Sequence, residues 1–444
     1  MKHLAMKQVP RYTSYPTAPH FGVMGAGEYS KWLQSIDKDI PVSLYVHIPF
    51  CEQLCWYCGC NTKITSKYAP IESYVDHVIK EIDSVVASLP AKMKVSHIAW
   101  GGGTPTKLTP PDFKRISDKI MSSFDVLTGA EIAVEIDPRT LTDDMVETLG
   151  ACGVNRASFG VQDFDAGVQE AINRIQPYNM TKRVVESLRA VGVSSVNFDL
   201  IYGLPLQTEE TIIDTVEKTK SLMPDRIALF GYAHVPWMKK HQLLLERHHL
   251  PTTEERLVLV ERATRELVSA GYVQIGLDHF ALPTDEMAIH WKEGTLNRNF
   301  QGYTVDRAQT LIAFGASAIG KLPNAYIQNH TSVKDYNDAV HKTGYATNKG
   351  VELNAADKLR ADIIGSLMCT LSVNLKDVCN AHGVDIESLA FDSAKVEEYI
   401  PTGIVKMSGD CIEITKEGQP YVRLIASCYD SYLESGKAKH SAAV

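Results

Sequence analysis

The sequence has no excess of basic residues, no long apolar run and no recognisable export signal. Its 444 residues carry 45 lysines and arginines against 53 aspartates and glutamates, a net charge of −8, whereas nucleic-acid-binding proteins usually present a basic face. No window approaches the ~18 uninterrupted apolar residues of a membrane-spanning helix, and the first ten residues have no apolar signal-peptide core. We therefore predict a globular cytoplasmic protein that binds no nucleic acid and has no membrane span.

Cysteine is not scarce, but its distribution does not suggest a disulfide framework. The nine cysteines are an odd number in a chain without an export signal, which argues against structural disulfides. Five of them are scattered, mostly among apolar residues, and are interpreted as small buried hydrophobes. The other four, Cys51, Cys55, Cys58 and Cys60, lie within ten residues. So dense a cluster in a reducing compartment is typical of metal binding.

Short apolar runs alternate with segments of helical periodicity from residue 43 onward, which predicts a parallel sheet covered by helices. The predicted strands are residues 43–49, 95–100, 131–136, 156–161, 196–202 and 226–232, with a further strand suggested at 272–277. So few units fit either an open doubly wound sheet or an incomplete barrel. Polar and glycine residues follow strand after strand, which favours a barrel because barrel active sites are built at these strand ends.

The remaining parts of the chain read differently. The pattern of strands and helices breaks around residues 300–350, where glycine, asparagine and threonine collect. From residue 354 the chain reads mostly helical. We predict an N-terminal extension (1–40) near the active site, a barrel domain (41–345) and a small helix-rich C-terminal domain (346–444).

The cysteine cluster follows the first predicted strand as Cys51-x3-Cys55-x2-Cys58. Structural zinc generally takes four ligands in two separated pairs, and no second pair appears downstream. The spacing therefore favours a [4Fe–4S] cluster over zinc, with three thiolates leaving one iron open. Cys60 is close enough in sequence to be considered as a fourth ligand, although one intervening residue makes that geometry awkward. Electron-transfer clusters normally have all their irons held by the protein, so an open iron suggests that a substrate or cofactor binds the cluster directly.

This spacing resembles the signature of the radical S-adenosylmethionine (SAM) enzymes. Longer segments resemble one family within that superfamily, the oxygen-independent coproporphyrinogen III oxidases. These segments are residues 10–17 (PRYTSYPT), 43–51 (SLYVHIPFC), 58–61 (CGCN), 100–105 (WGGGTP), 199–205 (DLIYGLP) and 298–304 (RNFQGYT). The resemblance covers nearly the whole chain, and the first, third and last segments separate this family from heme-trafficking proteins that share the SAM core.

The resemblance implies an α/β fold, an incomplete (β/α)6 TIM-like barrel with an N-terminal extension and a small helix-rich C-terminal domain. It also implies one [4Fe–4S] cluster held by Cys51, Cys55 and Cys58, and two SAM molecules, the first of them on the open iron. Cys60 is not expected to be a ligand. Family positions that contact the first SAM are matched here by Tyr45, Gly102, Glu135 and Ile319. Those that contact the second SAM are matched by Tyr57, Gly103, Thr104, Gln162, Arg174, Asp199 and Ala233.

Several of these residues also have ordinary structural interpretations. A glycine run often marks a tight turn, and Arg174 alone reads equally well as a solvated helix arginine. Asp199 lies in an apolar strand, where an unpaired carboxylate is costly, so a polar ligand there is favoured. His47 lies near the cluster and is a candidate catalytic residue, with a packed strand histidine as the alternative. Tyr57 stands where the family often has phenylalanine.

The reaction implied by the resemblance converts two propionate side chains of coproporphyrinogen III to vinyl groups and gives protoporphyrinogen IX, in anaerobic heme biosynthesis. The hydrogen that must be removed is unactivated, so radical chemistry from a cofactor is required. The substrate is a tetracarboxylate, and Arg11 and Arg298, in two of the family-specific segments, are the candidate substrate contacts. An electron donor such as flavodoxin or ferredoxin is expected, and no feature demands more than a monomer.

Three other functions remain open at this point. A heme chaperone built on the same core would bind heme without decarboxylation. A protein stabilised structurally by zinc or a cluster would have no reaction at all. A radical SAM enzyme acting on a different tetrapyrrole would keep the SAM residues and change only the substrate.

Overall fold

A 13-stranded sheet organises the chain in the computed structural model, which describes residues 2–433. The strands are, in chain order, β1 (Gly22–Val23), β2 (Val42–Ile48), β3 (Phe50–Cys51), β4 (Lys63–Ile64), β5 (Lys94–Gly102), β6 (Asp125–Ile136), β7 (Arg156–Gln162), β8 (Ser195–Tyr202), β9 (Arg226–Gly231), β10 (Val273–Ile275), β11 (His279–Ala281), β12 (Asn297–Asn299), β13 (Gly302–Thr304), β14 (Leu311–Phe314), β15 (Ile319–Leu322), β16 (Ala325–Asn329), β17 (Thr347–Glu352), β18 (Ser372–Asn374), β19 (Val405–Ser408) and β20 (Cys411–Ile414).

Helices precede, separate and follow these strands. They are α1 (Lys2–Ala5), α2 (Ala26–Gln34), α3 (Ala69–Ser88), α4 (Pro110–Ser123), α5 (Asp143–Ala151), α6 (Ala166–Ala171), α7 (Tyr178–Ala190), α8 (Glu209–Ser221), α9 (Thr253–Ser269), α10 (Glu286–Lys292), α11 (Val333–Thr343), α12 (Ala355–Thr370), α13 (Leu375–His382), α14 (Ala390–Glu397) and α15 (Val422–Ser427). Short 3-10 helices lie at Ala18–His20, Pro105–Lys107, Lys240–Arg247, Ile386–Leu389, Ile400–Thr402 and Gln419–Tyr421.

The centre of the large sheet is parallel. Its hydrogen-bonded order is β1-β17-β16-β15-β14-β2-β5-β6-β7-β8-β9-β11-β10, and every pairing from β14 to β9 is parallel. The outer pairings on both sides are antiparallel. The order runs from edge strand β1 to edge strand β10 among the described residues, so hydrogen bonding does not close the sheet. The architecture is α/β with a large, mainly parallel sheet.

The six predicted strands are all present, as β2 and β5 to β9, each overlapping its predicted range. The prediction for residues 272–277 was only partly right. β10 lies there, but it pairs antiparallel with β11 at the edge of the sheet. The seventh parallel strand is instead β14, which lies beside β2 with Phe314 opposite Val46. β14 falls in the region where the sequence predicted a break.

Helices and sheet share one continuous core. Along α3 the apolar positions at helical spacing, among them Ile71, Val75, Val78 and Ile82, are fully buried, as expected for an amphipathic helix that covers a sheet. Thr252 begins α9 with a capping box: its hydroxyl accepts from the amide of Glu255, and its own amide donates to the Glu255 carboxylate. Parallel strands covered in this way align their C-terminal ends on one side.

The two ends of the chain pack together away from this core. Leu4 and Val9 share a second apolar cluster with residues of α12 and α15. The Tyr12 hydroxyl donates to an Asp430 carboxylate oxygen at 3.0 Å. The same region contains a three-stranded sheet, β18-β20-β19, which helices α12 and α13 contact.

The division of the chain at residues 40 and 345 stays a prediction. Strand β17, the last of the large sheet, lies just beyond the second boundary. Residues 434–444 of the predicted C-terminal domain lie outside the described residues. Within residues 2–433, no helix combines the length and apolar character needed to cross a membrane.

Candidate active site

The cysteine loop leaves the sheet at the C-terminal end of β2, between the paired short strands β3 and β4. Cys51, Cys55 and Cys58 all line one cavity of about 170 Å³. The loop closes on itself, because the amide of Cys58 donates to the carbonyl of Cys55 at 3.1 Å. Three thiol groups that are adjacent in sequence are therefore held around one space.

A distant segment holds the backbone of this loop. Lys239 donates to the carbonyl of Cys60 at 2.7 Å, and His241 donates to the carbonyl of Cys58 at 2.8 Å. The side-chain amide of Gln242 donates to a third carbonyl of the loop at 2.9 Å. These three side chains were missed by sequence reasoning because about 180 residues separate them from the loop, and no local pattern signals the contact.

Two guanidinium groups and one carboxylate surround Cys55. Arg139 and Arg174 donate to its sulfur at 3.3 and 3.5 Å, and both pair with Asp137, at 2.6 and 3.4 Å. Burial raises the pKa of the Asp137 carboxyl, but the charge of Arg174 and the hydrogen bonds and charge of Arg139 outweigh it, and the pKa lies below its usual value. This side of the cavity is thus positively charged, as thiolate ligands require.

The thiols of the loop differ in acidity. Burial and the neighbouring thiols raise the pKa of Cys51 to about 12. A hydrogen bond from Cys60 lowers the pKa of the Cys58 thiol to about 6, although burial opposes it. Binding to a soft metal centre deprotonates such thiols outright.

The donor set and the charge around the cavity fit an iron–sulfur cluster. Three thiols are soft ligands of the kind that iron–sulfur clusters take, and two buried nitrogens at the cavity, Arg174 Nε and Arg139 Nη1, have no hydrogen-bond partner. Within residues 2–433, no group of three or more His, Cys, Asp or Glu side chains converges on a point suited to a single metal ion.

The glycine run at the end of β5 leaves room for two neighbouring side chains. A Cβ atom on Gly101 would lie 2.8 Å from the Glu135 carboxyl carbon. Gly102 has a φ of +117°, and a Cβ there would lie 2.7 Å from the His47 ring. A side chain on Gly101 would therefore displace Glu135, and one on Gly102 would displace His47. Glycine is required here by these close contacts as well as by the turn.

Gly103 ties the same run to the start of the cysteine loop. Its amide donates to the carbonyl of Ile48 at 2.8 Å, and the next amide, that of Thr104, donates to the carbonyl of Phe50 at 2.9 Å. A Cβ on Gly103 would lie 2.5 Å from that Phe50 oxygen. The glycine run and the cysteine loop are thus packed backbone against backbone.

Two carboxyl groups, those of Glu135 and Asp199, lie on another wall of the cavity. Burial raises the pKa of Glu135 to about 7, and nearby Asp199 adds to this, despite a hydrogen bond from the amide of Gly102 at 3.0 Å. Asp199 accepts hydrogen bonds from Asn197 at 2.9 Å and from Ser158 at 3.3 Å. It is therefore not unpaired within its strand, and burial raises its pKa as well.

Seven of the eleven predicted SAM contacts meet in the cavity with the three cysteines. They are Tyr57, Gly102, Gly103, Glu135, Gln162, Arg174 and Asp199. Four others lie elsewhere. Thr104 is buried behind the wall and accepts from the amide of Asp137 at 3.3 Å, Tyr45 contacts His47, Ile319 begins β15, and Ala233 belongs to a second cavity.

His47 is held as part of the strand packing. Its Nδ1 lies 2.9 Å from the Tyr45 hydroxyl and its Nε2 lies 3.3 Å from the Ser317 hydroxyl. Burial lowers its pKa to about 4. Both ring nitrogens thus have partners within the protein.

The second cavity is much larger, about 1210 Å³, and Cys60 lines both cavities. The two candidate substrate residues, Arg11 and Arg298, line it together with Arg256 and Arg423. Arg298 stacks on the Tyr303 ring, with 4.5 Å between its guanidinium carbon and the ring centroid. Apolar wall residues include Leu229, Tyr232, Leu257, Val260, Leu277 and Phe280. Arg256 and Arg423 were missed by sequence reasoning because neither lies in a distinctive sequence segment.

Comparisons with known proteins show which family the chain is similar to. Residues 45–219 match the model of the radical SAM superfamily. The chain is 47% identical to the oxygen-independent coproporphyrinogen III oxidase of Bradyrhizobium diazoefficiens, over 99% of this chain and 98% of that protein. It is 37% identical to the Pseudomonas aeruginosa protein of the same name, over 96% and 94%. A solved structure of coproporphyrinogen III oxidase from Escherichia coli, described as a radical SAM enzyme, superposes with a TM-score of 0.92 and 35% identity, covering 96% of this chain and all of that one.

Proposed function

The chain belongs to the oxygen-independent coproporphyrinogen III oxidases of the radical SAM superfamily, and from that premise we propose how its two cavities carry out the reaction. The enzyme oxidatively decarboxylates two propionate side chains of coproporphyrinogen III and releases protoporphyrinogen IX. Each propionate loses CO2 and two hydrogen atoms and becomes a vinyl group. The observation that carries the proposal is the meeting of a cysteine-lined cavity and a large arginine-lined cavity at Cys60.

Cys51, Cys55 and Cys58 hold three irons of one [4Fe–4S] cluster. When bound, the cluster and SAM supply one-electron chemistry that removes an unactivated hydrogen, which no side chain of the protein provides. Arg139 and Arg174 contribute positive charge next to the Cys55 sulfur, which stabilises the anionic thiolate ligands. Cys60 is a cavity residue in this assignment rather than a fourth ligand.

Two SAM molecules are proposed, and the polar groups that line the small cavity support this assignment. Glu135 and Asp199 offer acceptors for the ammonium and hydroxyl groups of a nucleoside–amino-acid ligand. Arg174 Nε is buried without a partner, and a carboxylate is the ligand group that a guanidinium pairs with best. For Tyr45 and Thr104 we propose a supporting role, through His47 and Asp137 respectively, while Ala233 lies on the side of the large cavity. His47, with both ring nitrogens occupied, is assigned a packing role.

The large cavity takes the tetrapyrrole. Its apolar walls suit pyrrole rings and exclude water, and its arginines suit carboxylates. Arg298 Nε and Nη1 are buried without a hydrogen-bond partner, and its Nη2 lies 3.5 Å from the carbonyl of Arg11. Arg298 is therefore the arginine that gains most from a propionate partner.

The further properties of the enzyme are inferred from its family. The parallel strands are proposed to curve as an incomplete (β/α)6 barrel, followed by a small helix-rich domain from about residue 346. A monomeric, cytoplasmic enzyme supplied with electrons by a flavodoxin or ferredoxin fits the same assignment.

The test is anaerobic incubation of the reconstituted enzyme with SAM, a reductant and coproporphyrinogen III, followed by mass analysis of the oxidised products. We expect two successive losses of CO2 and two hydrogens per tetrapyrrole, together with 5′-deoxyadenosine. Tight binding of heme with no decarboxylation would instead show a chaperone, and 5′-deoxyadenosine formed only with another tetrapyrrole would show a different substrate.

A further inference from the structure

The large cavity contains a buried carboxylate that its proposed ligand does not require. Asp278 lies between β10 and β11 and lines the cavity that holds Arg11, Arg256 and Arg298. Its side chain is only 16% exposed. A carboxylate in a site for a tetracarboxylate repels the ligand, so its presence calls for a compensating contact.

The partners of Asp278 leave part of the carboxylate unused. Its Oδ1 lies 2.7 Å from Nδ1 of His279. From the part of the chain that the structure describes, no other side chain donates to the carboxylate, and no arginine lies within ion-pair distance of it. Burial raises the pKa of Asp278, but the hydrogen bond and charge of His279, and then the charges of Arg298 and Arg11, outweigh burial and hold the pKa below its usual value. Asp278 is therefore an anion in the cavity wall, and one of its two oxygens has no side-chain donor among the described residues.

The proposed substrate has the donors that this oxygen lacks. A porphyrinogen carries its carboxylates on the outside of the macrocycle and four pyrrole N–H groups on the inside. A carboxylate has about four lone-pair sites on its two oxygens, and one oxygen of Asp278 is already engaged by His279. The arginines of the cavity can pair with the carboxylates on the outside of such a ligand, and Asp278 can accept hydrogen bonds from the pyrrole N–H groups on the inside.

On the basis of the proposed function, we propose that Asp278 accepts hydrogen bonds from the pyrrole N–H groups of the tetrapyrrole and so selects the reduced macrocycle over the oxidised one. Coproporphyrin III, the oxidised form, has the same four carboxylates. Its planar ring presents two N–H groups and two unprotonated nitrogens. The two unprotonated nitrogens are acceptors, so they repel a carboxylate oxygen. Asp278 is in this role a specificity-determining residue of the known reaction.

The experiment compares dissociation constants for coproporphyrinogen III and coproporphyrin III, measured anaerobically by fluorescence on the holoenzyme without an electron donor. Asp278→Asn keeps the shape of the side chain and removes its charge, and Asp278→Ser provides a second variant. Both ligands carry the same peripheral charge, so any change in general electrostatic attraction or in folding affects them alike and cancels in the ratio. Glu261→Gln is the matched control, because Glu261 is a 70% exposed carboxylate at the cavity rim that pairs with Arg265.

We expect the wild type and Glu261→Gln to prefer coproporphyrinogen III, and both Asp278 variants to lose about tenfold or more of that preference, as for a hydrogen bond to a charged group. An unchanged ratio in both variants would overturn the role of Asp278 while leaving the proposed function standing. Failure of the wild type to bind coproporphyrinogen III would instead overturn the proposed function itself.

Discussion

Replacing Gly103 by alanine tests whether the glycine run holds the cysteine loop in place. The added Cβ would lie 2.5 Å from the carbonyl oxygen of Phe50 and 2.8 Å from its carbonyl carbon. These are backbone atoms, so the clash cannot be relieved by a side-chain rotation. Relief requires separating the two segments and weakening the hydrogen bonds from Gly103 to Ile48 and from Thr104 to Phe50. Overpacking of this kind costs about 1–3 kcal/mol, and each weakened hydrogen bond adds roughly 0.5–1.5 kcal/mol.

We therefore expect Gly103→Ala to lower the free energy of unfolding by about 2–6 kcal/mol, the sum of the overpacking cost and two weakened hydrogen bonds, in urea denaturation followed by tryptophan fluorescence. The iron bound after anaerobic reconstitution should fall as well. Gly59→Ala is the matched control, since Gly59 lies inside the cysteine loop and its added Cβ would meet nothing within 4 Å. If the two variants were equally stable and bound equal amounts of iron, the proposed packing of loop and glycine run would be wrong.

Three further predictions concern substrate, pH and cluster. Arg298→Ala and, to a smaller degree, Arg11→Ala should raise KM for coproporphyrinogen III in steady-state assays, because Arg298 has two unpaired buried nitrogens whereas Arg11 is exposed. Burial raises the pKa of Glu81 from 4.5 to about 7. The free energy of unfolding should therefore fall by up to about 3 kcal/mol between pH 4.5 and pH 7. Urea unfolding of Glu81→Gln should not show this fall. Cys60→Ser should retain iron after reconstitution, whereas Cys55→Ser should lose it.

The sign of the pH effect follows from proton binding. In that window the unfolded chain has released the proton of Glu81 while the folded chain still holds it, so stability falls as the pH rises. The folded carboxyl is buried and is reached by Asn329 and Tyr336 at 2.7 and 2.8 Å. A stability profile that is identical in wild type and Glu81→Gln would contradict this assignment. Loss of iron from Cys60→Ser equal to that from Cys55→Ser would make Cys60 a ligand.

The parallel sheet was largely predictable because its strands are long enough to show apolar runs and are separated by amphipathic helices. β14 was not predictable, since it is a four-residue strand reached without a preceding βα unit. Its place beside β2 is decided by pairing across 268 residues, as between Leu311 and Ser43, rather than by local pattern. The antiparallel pairing of β10 has a similar origin, because it follows from the turn to β11 and not from the composition of residues 272–277.

The site residues that belong to short sequence motifs were predictable, and those that reach the site through tertiary contacts were not. The three cysteines, the glycine run and Glu135 lie at or just after the C-terminal ends of strands, and such ends meet on one side of a parallel sheet. Arg139 contacts Cys55, and Lys239 donates to the carbonyl of Cys60, from parts of the chain distant in sequence from the loop. Asp278 carries no sequence signal either, since a lone aspartate before a short strand is ordinary turn composition.

The central claim is that three cysteines hold a four-iron cluster and leave one iron for SAM. Mössbauer spectroscopy of anaerobically reconstituted, 57Fe-labelled protein tests it most directly. The account predicts four irons per chain, one of which changes its isomer shift when SAM is added while the other three do not. Four irons whose isomer shifts all stay unchanged when SAM is added, or a purified protein whose cysteines hold zinc, would contradict it.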